Sequence, residues 1–259
     1  MNISGKDSED LRYAKSLLEN PGLAAKITNV LGKSIEKGFG LLPENFNSIV
    51  NSASKKALKV ALDTAMATMD KKPEQTSWNI SHKIAVAMSG SVGGFMGLPG
   101  LAIELPISTT IMLRSIIDIA RSEGEVITNP NTKTACFEVF ALGGSSQSDN
   151  SSETGYFVTR AVLSRSVAEA AEYIAKKGMV EEGAPIILRL ITKVAARFGV
   201  QVSEKIAAQA IPIVGAIGGA VINTLFIDHF QDMARGHFIV RRLERIYGSD
   251  EVKKAYDRL

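Results

Sequence analysis

Apolar residues recur at helical spacing along almost the whole chain, and no run of strict apolar/polar alternation survives inspection. That pattern predicts an all-α chain without a sheet of any size. A first helix is expected over residues 8–18. A second opens at Pro21, with Gly32 and Gly40 as stop signals, and Pro43 starts a longer element. Over 44–69, Ile49, Ala53, Ala57, Val60, Ala61 and Ala65 follow one face, while Lys55, Lys56 and Lys59 fall largely on another. Serines between 77 and 81 offer caps for a helix running into Gly93 and Gly94.

Between Lys83 and Arg114 the only charge is Glu104, and Gly97-Leu98-Pro99-Gly100 and Pro106 interrupt the run. The expectation is two buried helices joined by a tight turn. Ser122-Glu123-Gly124 closes a helix, Asn129-Pro130-Asn131 makes a turn, and 132–142 reads helical again. A polar stretch over 143–155, with its most flexible part at 144–150, precedes an amphipathic helix at 153–177. Pro185 begins another, and Gly248 sets off a short last helix. With no other long linker, the reading is one compact multi-helix domain over 1–259, with two central apolar, glycine-bearing helices.

Those two helices carry an echo. Gly90-Ser91-Val92-Gly93-Gly94 and Gly215-Ala216-Ile217-Gly218-Gly219 share the pattern G-x-[VI]-G-G. Small residues four apart at Gly90/Gly94 and Gly215/Gly219 let helix backbones approach closely, so the two segments are expected to pack together, with chance as the alternative in a chain of twenty-two glycines. Lys205 and Asp228 bracket twenty-two uncharged residues, about 33 Å if helical at ~1.5 Å per residue, long enough to span a bilayer. Gln209, Pro212, Asn223 and the many small residues favour a buried core helix instead, and hairpin-like insertion stays open for 84–112.

Composition narrows the classes. Thirty Lys+Arg against twenty-seven Asp+Glu leave a net charge of +3, too little to imply a nucleic-acid partner. The single Cys136 suits a reducing compartment, and the first fifteen residues hold no apolar core, so no secretory signal is expected and the cytoplasm is the default. Arg235, Arg241, Arg242 and Arg245 accompany an apolar line at Ile239, Leu243 and Ile246. That basic amphipathic helix fits a solvated outer face or an anionic membrane surface.

The candidate chemistry is a polar constellation. Helical spacing lines up Thr110, Arg114, Asp118 and Arg121, with Arg114 and Asp118 able to pair and Glu104 one partner for them. Further on, Asn223, Asp228, Asp232 and Arg235 follow one another along a helix, with His229 beside them and His237 two turns past it. A structural ion-pair network is the first reading; Asp228, His229 and Asp232 are the catalytic candidates for general acid/base hydrolysis or a metal site. A helical di-metal site would use Glu-x-x-His, which the chain lacks, so no metal and no cofactor are expected. Neither G-x-S-x-G nor H-E-x-x-H occurs, and Gly32-Lys33-Ser34 lacks the first glycine and the strand of a phosphate loop.

Gly93-Gly94-Phe95-Met96-Gly97-Leu98-Pro99-Gly100, Glu104-Leu105-Pro106, Thr109 to Ile116 with Asp118 to Arg121, and Phe137-Glu138-Val139-Phe140-Ala141-Leu142-Gly143-Gly144 resemble the EcsC family of bacterial proteins. Ile222 to Phe226 and Asp228 to Phe238 are similar to its other signature, and the resemblance runs from about Asp7 to Tyr247. It implies a single helical domain and a link to membrane transport, because the family is named for a protein encoded beside an ABC transporter; it implies no catalytic residues. The expected function is therefore a non-enzymatic, intracellular accessory protein at an anionic membrane surface or a membrane transport complex, peripheral to the inner membrane. The alternative is a hydrolase or metal-dependent enzyme.

Overall fold

Local signals set most helix ends in the computed structural model, which describes residues 3–19, 22–32, 35–69, 97–144, 155–177, 184–211 and 215–259. Among them every regular element is helical: α1 (Gly5–Glu19), α2 (Leu23–Leu31), α3 (Glu36–Phe39), α4 (Phe46–Met69), α5 (Gly97–Ser122), α6 (Pro130–Glu138), a 3-10 turn (Val139–Ala141), α7 (Gly155–Lys177), α8 (Pro185–Gln209), α9 (Gly215–Tyr247) and α10 (Ser249–Arg258). Gly32 ends α2 in the left-handed region at φ 63°, where its N–H donates to the Thr28 carbonyl. The Asn129 side chain accepts from the Asn131 N–H at the start of α6, and Pro130 fills the first helical position.

Two expectations need correction. Gly97-Leu98-Pro99-Gly100 is no turn between helices but the opening of α5, whose first-turn N–H groups have no intrahelical partner in any case. Pro106 lies inside α5 without ending it. Around it, Thr109 donates to the Leu105 carbonyl at 2.6 Å and Thr110 to the Pro106 carbonyl at 2.8 Å. The upstream arm over 84–96 lies outside the described residues. Nor is 206–227 one helix. α8 stops at Gln209 and α9 starts at Gly215, and the sequence places Pro212, which has no N–H for a continuing helix, just past the end of α8.

α9 is the axis of the fold and packs against α1, α2, α5, α8 and α10, while α8 also meets α3, α4 and α7. Where they cross, Phe140, Phe198, Phe226 and Phe230 form a buried cluster with ring centroids 5.2 to 6.1 Å apart. Two glycines permit the closest approaches. A Cβ at Gly236 of α9 would lie 2.6 Å from Leu18 Cγ and 3.0 Å from the Ala14 carbonyl oxygen of α1, and one at Gly38 of α3 would lie 1.8 Å from the Ala207 carbonyl oxygen of α8. The glycine pairing expected from the repeated pattern involves Gly90 and Gly94, which lie outside the described residues, so Gly215 and Gly219 have no described partner of that kind.

Candidate functional site

Among the described residues, the most enclosed cation of any ion pair, Lys205, stands where α5, α8 and α9 meet. Lys205 is 1% exposed. Its ammonium donates to Glu104 Oε1 at 2.6 Å and Asn223 Oδ1 at 2.9 Å, and lies 4.9 Å from the centre of the Phe226 ring. Such a pair repays desolvation only when its donors and acceptors are matched, and here two oxygens and a ring face meet the amine. Glu104 is thus taken by a residue 101 positions away and is not a partner of Arg114. Lys205 figured in the sequence only as the charge at the edge of an apolar run; nothing local marks it as the partner of Glu104.

Arg114 and Asp118 do share one side of α5, but Asp118 bonds Arg121 at 2.8 Å. Arg114 makes no ion pair among the described residues; partial burial holds its guanidinium below the ordinary value, opposed by the nearby Asp118 charge. Thr110 is occupied by its own helix backbone.

On α9 the catalytic candidates do not converge. Asp228 is exposed. Asp232 binds Lys26 at 2.8 Å and Arg235 at 3.1 Å. His229 is fully buried, its ring nitrogens without a hydrogen bond among the described residues and its edge so close to Gly143 that a Cβ there would lie 2.8 Å from Nε2. Burial, reinforced by Lys26 and opposed by Asp232, lowers the imidazole to about 4. His237 belongs to a separate network: Tyr156 Oη lies 3.0 Å from its Nδ1, and Arg160 approaches that hydroxyl at 3.3 Å while gripping Glu244 through two bonds of 2.7 and 3.0 Å. Which of the hydroxyl and Nδ1 donates depends on the imidazole tautomer, and the buried Nε2 has no hydrogen-bond partner among the described residues. Burial first, then Arg160 and Arg241, hold that imidazole well below its usual range. No group of three His, Cys, Asp or Glu side chains able to hold a metal ion occurs among the described residues.

The arginine stripe is also engaged. Arg241 binds Glu125 at 2.8 Å, Arg245 binds the same carboxylate and the Glu123 carbonyl, Arg242 binds Asp10 at 2.6 Å, and Arg235 binds Asp232. Burial raises the Glu125 carboxyl, but Arg241, Thr132 and Arg245 outweigh it and leave the group below its ordinary value. The stripe ties α9 to α1 and to the α5–α6 connection.

Across 9–243 the chain matches the family model described as the EcsC protein family. The chain belongs to the EcsC protein family. No curated protein and no solved structure matches it. The EcsC match takes in the Glu104–Lys205–Asn223 junction, the stripe of α5 and all but the end of α9. It also covers two buried acids that the sequence did not mark as candidates, Glu138 and Glu204, whose burial raises each carboxyl to about 7. For Glu138, Arg160 and Arg241 oppose that rise; for Glu204, the Ala24 N–H at the start of α2 does.

Proposed function

We propose that this EcsC-family chain is a non-enzymatic, intracellular accessory protein that works at a membrane surface, free or as part of a membrane transport complex. One observation carries the reading. Over Gly100–Ser122, α5 is long and apolar enough to enter a bilayer, yet only half of that stretch is buried in the protein. On this helix stands Ile103, at 66% the most exposed large apolar side chain among the described residues. The closed state of the polar groups supports the same view, since Lys205, Glu104 and Asn223 satisfy one another and Asp232 is held between Lys26 and Arg235. The arginines of α9 already have acidic partners and offer little free charge to anionic lipid, so the apolar helix is the better anchor. Flotation of the detergent-free protein with phosphatidylcholine vesicles, with and without phosphatidylglycerol, tests this. Binding that persists at high salt supports apolar insertion; a monodisperse protein that floats with neither vesicle refutes it.

The hydrolase or metal-dependent reading draws on the unbonded imidazole of His229. Metal analysis of the purified protein, and an esterase and phosphatase screen of wild type beside His229→Ala, test it: activity lost in the variant would establish an enzyme.

A further inference from the structure

Beneath the backbone of Gly143, a nitrogen and a sulfur of α9 face one point. His229 and Met233 stand one turn apart on that helix and are both buried, with exposures of 0% and 1%. A Cβ built on Gly143 would lie 2.5 Å from Met233 Sδ and 2.8 Å from His229 Nε2. Gly143, in the left-handed region at φ 71°, is only half-buried, so the two donors lie directly under backbone that reaches the surface. Neither nitrogen of the ring has a hydrogen bond among the described residues. An unbonded imidazole in the interior carries a desolvation cost that an apolar ring of similar size would not. Burial keeps this ring neutral, so in either tautomer one nitrogen offers a lone pair with nothing to receive it.

We propose that His229 Nε2 and Met233 Sδ bind one soft, singly charged transition-metal ion of the copper(I) class beside Gly143. The donors select the ion: a thioether favours copper(I), and imidazole accepts it as well. An ion bonded in line to both, at about 2.0 Å to nitrogen and about 2.3 Å to sulfur, needs donors roughly 4 Å apart, which two atoms so close to one point allow. Divalent ions fit less well. Structural zinc takes four ligands, and calcium and magnesium take oxygens, whereas no group of three His, Cys, Asp or Glu able to hold a metal stands among the described residues. The nearby charges cancel, because Lys26, which acts on the ring, is bonded to Asp232 at 2.8 Å. This site is independent of the membrane reading and assigns His229 to ion binding rather than to proton transfer.

The test titrates the full chain, reduced and free of oxygen, with copper(I) against a chromophoric copper(I) chelator, and uses silver(I) as a redox-inert probe in NMR. Wild type takes up one ion per chain, and silver(I) shifts the Met233 methyl and His229 ring signals together. Met233→Leu, which keeps an apolar side chain of similar volume, and His229→Phe each weaken binding about tenfold or more, as expected when one of two ligands is lost. Melting temperatures verify that both variants are folded, and the NMR shifts of the wild type carry the test if one is not. Cys136, the single thiol of the chain, is buried, and Cys136→Ala leaves binding unchanged. No uptake by the wild type overturns the proposal, as does uptake that Met233→Leu leaves unaltered. Uptake lost in Cys136→Ala places the ion on the thiol, and silver(I) shifts at other methionines without Met233 show an adventitious ion only; either result overturns it too.

Discussion

Lys205 and Glu104 meet at 2.6 Å although the lysine is almost wholly enclosed and the carboxylate side chain is a third exposed. This asymmetry makes the two halves of the pair unequal. Removing the acid strands a buried ammonium, whereas removing the lysine leaves a carboxylate that water can reach. Glu104→Gln is therefore expected to cost about 3 kcal/mol in urea unfolding and Lys205→Met about 1 kcal/mol. Equal losses would show that the exposure of Glu104 does not matter.

Glycines separate into two kinds. At Gly236 a methyl would collide with Leu18 and the Ala14 carbonyl, so Gly236→Ala should push α1 off α9 and lower stability by about 2 kcal/mol. At Gly199, in α8, the nearest atom to a new Cβ is Ser54 Oγ at 3.7 Å. There Gly199→Ala should raise stability by roughly 0.5–1 kcal/mol, because alanine loses less backbone entropy in a helix. Thermal melts of the two variants should move in opposite directions; shifts of the same sign would contradict the helix crossing.

The buried acids give stability a pH dependence of definite sign. Glu138 is raised from 4.5 to about 7 in the folded protein, so the folded state keeps a proton that the unfolded chain has released. Its contribution is full below pH 4.5, declines up to about 7 and is flat above that. The difference converts to about 3 kcal/mol. Glu138→Gln, which mimics the protonated acid, should be more stable than wild type at pH 8 and nearly equal to it at pH 4.5, with Glu204→Gln behaving alike. Urea unfolding at the two pH values checks this, and a constant difference between wild type and variant would contradict it.

His229 acts in the opposite direction. Its imidazole is lowered from 6.5 to about 4, so the unfolded chain takes up the proton first and stability falls as the pH drops through that range. In NMR the His229 ring signals should stay at their neutral position between pH 5 and 8. A titration near 6.5 would place the ring in water and contradict its packing against Gly143.

Much of the fold was legible in the sequence because helix ends are local. Gly32, Asn129-Pro130, Pro185 and Gly248 each act through their own backbone, and each lies at a helix end in the structure. Pro99 and Pro106 misled for a related reason: a proline tolerated in a first turn, and one inside a helix flanked by threonine hydroxyls bonded to carbonyls, look like breakers when read singly. The contacts of the candidate site were less legible. Helical spacing found Arg114, Asp118 and Arg121 on one face but could not tell which of two neighbours Asp118 would bond. Lys205 on Glu104 and Gly236 on Ala14 join helices far apart in the chain, and no local periodicity encodes such meetings. The arginines of α9 showed a basic stripe; the acids of Arg241, Arg242 and Arg245, which are Asp10, Glu123 and Glu125, come from α1 and the connection after α5.

Flotation of wild type beside Ile103→Asp at high salt tests the central claim most directly. Ile103 is exposed in the protein, so aspartate there should leave the fold intact, which circular dichroism verifies. The account predicts that wild type floats with the vesicles and that the variant partitions at least tenfold more weakly, having lost one inserted isoleucine worth about 1.5–3 kcal/mol. Equal flotation of the two proteins, or none by the wild type, would contradict it.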